Sequence, residues 1–217
     1  MSSPSRPEAL PPVETAPGTL VHTSADRRLA AEHWLAATHP NAAQVRWEWQ
    51  HRGLALLPLG GLFCAVRLPD RLVRAVAAGA RKDPAVYLIE ELRGGPVIHN
   101  RRHEQYHALV PRSMPDEWAG AVAEWPTWGA ECLGRGTYLG VPPLDAVADA
   151  PGRPAYWAVP MPSAGELCDP VDVATLVTAG SWYLDREAAE ASPETPAARP
   201  GASAAARHEV GSARQIE

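Results

Sequence analysis

Three groups of residues in this sequence have the types and spacing to do chemistry. The first is the stretch ECLGRGTYLGVPP, residues 131–143, which joins one carboxylate, Glu131, to a Gly134-Arg135-Gly136 turn, an apolar strand and a Pro-Pro stop. A carboxylate at the head of a strand can ligate a divalent cation or accept a proton. A lone one is also an ordinary solvated or hydrogen-bonded edge residue, and both readings stand. The glycine turn would let backbone N–H groups approach a phosphate, with Arg135 beside them. Its plainer reading is a tight hairpin. No helix follows it, so it is neither a Walker nor a Rossmann loop.

The second group is HNRRHEQYH, residues 99–107, which concentrates His99, Arg101, Arg102, His103 and His107. Arginine presents a planar fork of donors that suits phosphate and carboxylate. The candidate anion-binding residues are therefore Arg101, Arg102, His103, His107 and Arg135, with a solvated hairpin turn as the alternative. His103 and His107 are four apart, a spacing that serves zinc on a helix. This segment reads as turn and strand, so no metal and no cofactor are expected. The third group, Cys64, Cys132 and Cys168, contains no CxxC and reads as reduced, buried thiols. Ser163 lacks the G-x-S-x-G surroundings of a hydrolase nucleophile.

The elements that must position these groups alternate between two periodicities. ADRRLAAEHWLAA after Ser24, DRLVRAVAAGARK after Pro69, DPAVYLIEELRGG and PDEWAGAVAEW read as helices. So does DPVDVATLVTAGSWYL, with Val173, Leu176 and Val177 facing inward. RWEWQHRG, LALLPL, GLFCAVRL, PVIHN, YHALVP, AECLG, TYLGVP and AYWAVP read as strands. LALLPL and GLFCAVRL are joined by Gly60-Gly61, and PVIHN and YHALVP form a hairpin. Helices mixed with hairpins in this order predict an α+β fold: a single mixed or antiparallel sheet with helices packed on it. Most of the eight tryptophans are assigned to packing rather than to base stacking.

The chain has 217 residues, 46% of them hydrophobic, which is ample for a packed core. A net charge of −5 argues against a strongly basic, sequence-blind nucleic-acid binder, though not against a local basic patch. Residues 1–20 and 186–217 are rich in Pro, Ala and Ser and poor in large apolar residues. Both are expected to be disordered tails around a folded domain at 21–185. No run is apolar enough to span a membrane and no signal peptide is recognised, so the expected location is the cytoplasm.

The order of these pieces resembles the bifunctional primase–polymerase (Prim-Pol) domain of the archaeo-eukaryotic primase superfamily, over residues 45–160. RGLALLPLGG, residues 52–61, resembles that family's opening helix end, strand and Gly-rich turn. ECLGRGTYLGVPP resembles its late segment, with Glu131 at the Asp position, Gly134 and Gly136 on the glycines and Tyr138 on the aromatic. AYWAVP is similar to the Tyr–Trp strand that follows. The resemblance implies two-metal nucleotidyl transfer from an Asp-x-Asp/Glu pair on one strand face, a phosphate-gripping His and a third acid.

The sequence departs from that pattern where the acid pair belongs. Counting from Pro69, the paired positions fall on Val66 and Leu68, and residues 51–69 hold no Asp or Glu. Asp70 stands just past the strand, alone, and Glu131 is the one vestigial acid. The leading expectation is a catalytically inactive Prim-Pol-like domain that binds a nucleotide, a single-stranded nucleic acid or a protein partner. Two alternatives are an active primase/polymerase-type nucleotidyltransferase with a rearranged metal site, and a regulatory protein-interaction module unrelated to nucleic acid.

Overall fold

The structure, a computed structural model, describes residues 23–191 and the short strands Val13–Ala16 (β1) and Thr19–Val21 (β2). These two strands pair with each other inside the segment expected to be a tail. The other residues of both expected tails lie outside the described residues, apart from the end of the last helix.

The centre is a five-stranded antiparallel sheet. It contains β4 (Phe63–Pro69), β5 (Val97–Asn100), β6 (Gln105–Pro111), β7 (Glu131–Leu133) and β9 (Ala155–Val159), in the order β7-β4-β6-β5-β9. A separate antiparallel ribbon joins β3 (Ala55–Pro58) to β8 (Tyr138–Val141). The fold is α+β, and its sheets are antiparallel throughout.

Helices cover one sheet face and the ribbon helps cover the other. On the first face lie α3 (Asp70–Gly79), α4 (Pro84–Glu91) and α7 (Pro170–Ala191). Their residues Leu72, Val73, Leu88, Val173, Leu176 and Val177 join Cys64, Val66, Leu68, Tyr106, Ala108 and Val110 from the strands in one core. On the second face, α1 (Ser24–Ala36), α2 (Ala42–Arg52) and the ribbon enclose Phe63, Ala65, Leu109, Ile98 and Trp157. Successive side chains of a strand point to opposite faces, so β4 supplies both cores.

Several local details differ from expectation for identifiable reasons. RWEWQHRG is not a strand but most of α2. Asn41 caps its N-terminus by accepting from Ala43 N and Gln44 N, and Gly53 ends it at φ 65°. The alternation of Trp47 and Trp49 imitates a period of two, yet Trp49 is 8% exposed and Trp47 48% exposed, as two positions on different sides of a helix are. Helix α1 is capped by Thr23, one residue before the expected Ser24. Thr23 and Asp26 form a reciprocal capping box.

PDEWAGAVAEW breaks into two short helices, α5 (Met114–Glu117) and α6 (Ala119–Glu124), followed by a 3-10 turn at Trp125–Trp128. Helix α7 runs past the expected boundary at 185 to Ala191, because REAAEA is made of good helix formers.

The loops after β3 and before β8 bend together. Leu59 N donates to Thr137 O (3.0 Å), and Gly60 adopts φ 85°. A Cβ at Gly60 would stand 2.7 Å from the backbone N and Cα of Arg135, so only glycine fits. The Gly-Gly and Gly-Arg-Gly motifs are thus matched turns that carry two paired strands out of the sheet and into the ribbon. The second is not a hairpin, because β7 pairs with β4 whereas β8 pairs with β3.

Helices α3 and α7 pack through glycines. A Cβ at Gly180 would overlap the Leu72 side chain, and one at Gly79 would overlap the Tyr183 ring. Gly180→Ala should gain about 1 kcal/mol of helix propensity but lose about 1–3 kcal/mol to overpacking. The expected net result is a lower urea midpoint with an unchanged slope. A Gly180→Ala protein more stable than the parent would contradict this packing.

Candidate functional site

Three neighbouring strands place Glu131, Arg67 and His107 in one row. Arg67 on β4 is in register with Glu131 on β7 on one side and with His107 on β6 on the other. Alternation assigns this row to the second sheet face, with Ala65, Leu109 and Leu133 two residues away on the same three strands. Val66 and Leu68 lie in the other core, beneath the helices. The β4 residue in line with Glu131 is therefore Arg67, a residue the sequence reading did not single out.

The row's electrostatics follow from this arrangement. Arg67 Nη2 donates to Glu131 Oε2, so the one acid of the row is already paired with a guanidinium. Side-chain exposures of 36% for Arg67 and 46% for Glu131 leave the pair within reach of a ligand. His107 is buried. Burial first, and then the positive charges of Arg67, His103 and His99, push its pKa down to about 4, so it is neutral at pH 7. Two buried nitrogens of the row, Arg67 Nε and His107 Nδ1, have no hydrogen-bond partner among the described residues.

The HNRRHEQYH segment is a hairpin, as expected, with a 3-10 turn at Arg101–His103 and Glu104 at φ 51°. Its residues go separate ways. His107 enters the row. Arg101 forms an ion pair with Asp149 (2.8 Å), while Arg102 and His103 are exposed. The His103 side chain is near enough to His107 to act on its charge.

His99 falls on the first face, in register with Tyr106 and stacked on its ring at 4.1 Å. Its Nδ1 lies 3.1 Å from the Tyr156 hydroxyl, and its Nε2 lies 3.8 Å from Asp70 Oδ1. Asp70 is not alone, as the sequence reading had it. It forms an ion pair with Arg74 and faces His99. Burial lowers the pKa of His99, and Asp70 and Asp149 partly offset that effect.

Arg135 lies at the opposite end of β4 from the hairpin turn, because its turn meets Gly60, just before Phe63. Seven strand residues separate the two ends, about 20 Å. The structure therefore does not bring Arg135 together with Arg101, Arg102 and His103. Arg135 instead lines a recess that Arg112 also lines.

Cys64 and Cys168 are buried and Cys132 is partly so, all as free thiols. Burial pushes Cys132 and Cys168 up to about 12 and raises Cys64, so all three are protonated near neutrality. Among the described residues, no three of His, Cys, Asp and Glu converge as metal ligands, and no helix is long and apolar enough to cross a membrane.

No family model, no curated protein and no solved structure matches this chain. Arg67 was legible in principle: it is the one charged residue in the apolar strand FCAVRLP. What sequence spacing lacked was the register that sets it between Glu131 and His107.

The burial of His107 has a pH consequence. Its pKa is near 6.5 in an unfolded chain and about 4 when folded. Between those values the unfolded state binds the extra proton, so acid favours unfolding. His107's contribution should be fully present above pH 6.5 and should fall by about 3 kcal/mol on acidification to pH 4. Urea unfolding at pH 7 and pH 4.5 should show a smaller acid loss for His107→Asn than for the parent. Equal losses would mean that His107 titrates normally in the folded protein.

Proposed function

We propose that this chain is a non-catalytic, Prim-Pol-like domain of the cytoplasm that binds the phosphates of a nucleotide or a single-stranded nucleic acid on the Arg67–His107 row. The observation that carries this reading is the row itself. A guanidinium stands in register between a carboxylate and a neutral imidazole, and two buried nitrogens of that row lack partners. A phosphate would meet the exposed part of the Arg67 guanidinium, beside the buried, neutral His107 ring. Guanidinium–phosphate bonds are charge-assisted and among the strong ones. Arg102 and His103, exposed on the adjoining hairpin turn, would extend the positive surface along a strand.

The same row disfavours metal catalysis. A divalent pair needs several oxygen ligands on one face. Here Glu131 is already paired with Arg67, whose positive charge repels a cation from the one acid of the row. Losing two-metal assistance costs several kcal/mol of barrier, on the order of a thousandfold in rate or more.

Binding of a labelled single-stranded oligonucleotide, followed by anisotropy across a salt series, tests the reading. Arg67→Ala should weaken binding and reduce the log–log salt slope by about 0.7 for one lost phosphate contact. Glu131→Gln should strengthen binding, because it frees the guanidinium. If neither variant changes affinity or slope, the row is not the site. Primer extension and primer synthesis with Mg²⁺ or Mn²⁺ should give no product. Product that disappears in Glu131→Ala would establish an active nucleotidyltransferase instead.

A further inference from the structure

At the far end of the sheet from the hairpin turn, three chain segments enclose a recess of about 480 Å³. The turn after β3 contributes Gly60, and β4 contributes Cys64. The segment after β6 contributes Arg112, Ser113, Pro115 and Asp116, and the turn before β8 contributes Gly134 and Arg135. We propose that this recess is a second binding site, for the phosphate group of a small phosphomonoester, separate from the Arg67–His107 row.

The recess lining carries two positive charges and one negative. Arg112 and Arg135 come from segments over twenty residues apart in sequence, and neither guanidinium has an ion pair or hydrogen bond among the described residues. Seven other arginines, at 46, 52, 67, 74, 93, 101 and 186, have carboxylate partners. Those at 27, 28, 71, 81, 102 and 153 form no ion pair among the described residues, but they do not share a recess with a second unpaired arginine as these two do. Asp116 is the one acid in the lining and forms no ion pair with either arginine.

Two like charges sharing a recess repel each other and attract an anion. Guanidinium forks match the oxygens of a phosphate, and the Ser113 hydroxyl in the same lining supplies another donor.

The backbone around the recess is held closely. Gly60 approaches the Arg135 backbone so closely that no Cβ fits there. The wall that carries Arg135 is therefore fixed by steric contact, which lowers the ordering cost of binding.

The volume is that of a small-molecule site. The donors favour a monoester over a nucleic-acid backbone: two guanidinium forks can engage the three free oxygens of a terminal phosphate, whereas a diester offers two.

Calorimetric titration with inorganic phosphate and with glycerol 3-phosphate, up to about 10 mM, tests this. Binding should be lost or weakened at least about tenfold in the Arg112→Ala/Arg135→Ala double variant. Both side chains are exposed, so the variant should retain cooperative unfolding, which a urea titration checks. Arg153→Ala, at an exposed arginine outside both sites, should bind phosphate like the parent. Binding lost in Arg67→Ala but kept in the double variant assigns the heat to the row and overturns this site. Asp116→Asn should bind more tightly, since it removes the one negative charge of the lining. Absence of heat with both ligands, or unchanged affinity in the double variant, overturns the site. Weaker binding by Asp116→Asn overturns the charge argument on which it rests. An oligonucleotide that binds through Arg112 and Arg135 when neither small ligand does overturns the monoester assignment.

Discussion

The close approach of Gly60 to the backbone of Arg135 is the contact on which the architecture turns. It lets two antiparallel strands leave the central sheet at the same point and stay paired as a ribbon. The ribbon then folds over the second face and brings Leu57, Leu139 and Val141 into that core. Trp49 locks the arrangement from α2 by donating its indole N–H to Val141 O (2.9 Å). The buried carboxylate of Glu48 accepts from Leu56 N (3.2 Å), a group on the side of β3 that β8 does not pair. A bond from the Gln44 side chain, and then this one from Leu56, hold the Glu48 pKa below the usual carboxylate range.

The electrostatics of the row follow from the same constraint. The bend fixes where β7 lies along β4 and so places Glu131 opposite Arg67 rather than opposite a neighbour. The ion pair is more than a third exposed, and a pair of that kind adds little to stability. Its importance is positional, because it leaves a guanidinium next to a histidine that burial keeps neutral. The first face has a counterpart in His99, Asp70, Tyr106 and Tyr156. There the histidine sits among aromatic rings under the start of α3, with a carboxylate in the place of the guanidinium.

Much of the scaffold was legible because it is local. The inward stripe of Val173, Leu176 and Val177 marks α7, and the polar turn between PVIHN and YHALVP marks the β5–β6 hairpin. RWEWQHR misleads because tryptophans two apart satisfy a strand period while lying on different sides of a helix. The pairing of Ala55 with Val141 joins residues more than eighty positions apart, and no local pattern encodes it. Register is the harder quantity. One residue along a strand changes the face completely, and only the paired sheet shows that Arg67, not Val66 or Leu68, shares a face with Glu131. The Gly-Arg-Gly turn was read as a hairpin because local glycine chemistry reports a turn but not which strands it joins.

The packing of α3 against α7 also has a temporal meaning. Ribosomes deliver the chain from one end, so Leu72, Val73 and Val76 emerge about a hundred residues before Leu176 and Gly180, the residues that cover α3. All nine described strands are complete by Val159, before α7 exists. During that interval the nascent chain carries an uncovered apolar helix, at the stage when chaperones have most to bind. Folding can finish only when the last helix clears the exit tunnel and lays Gly180 over Leu72.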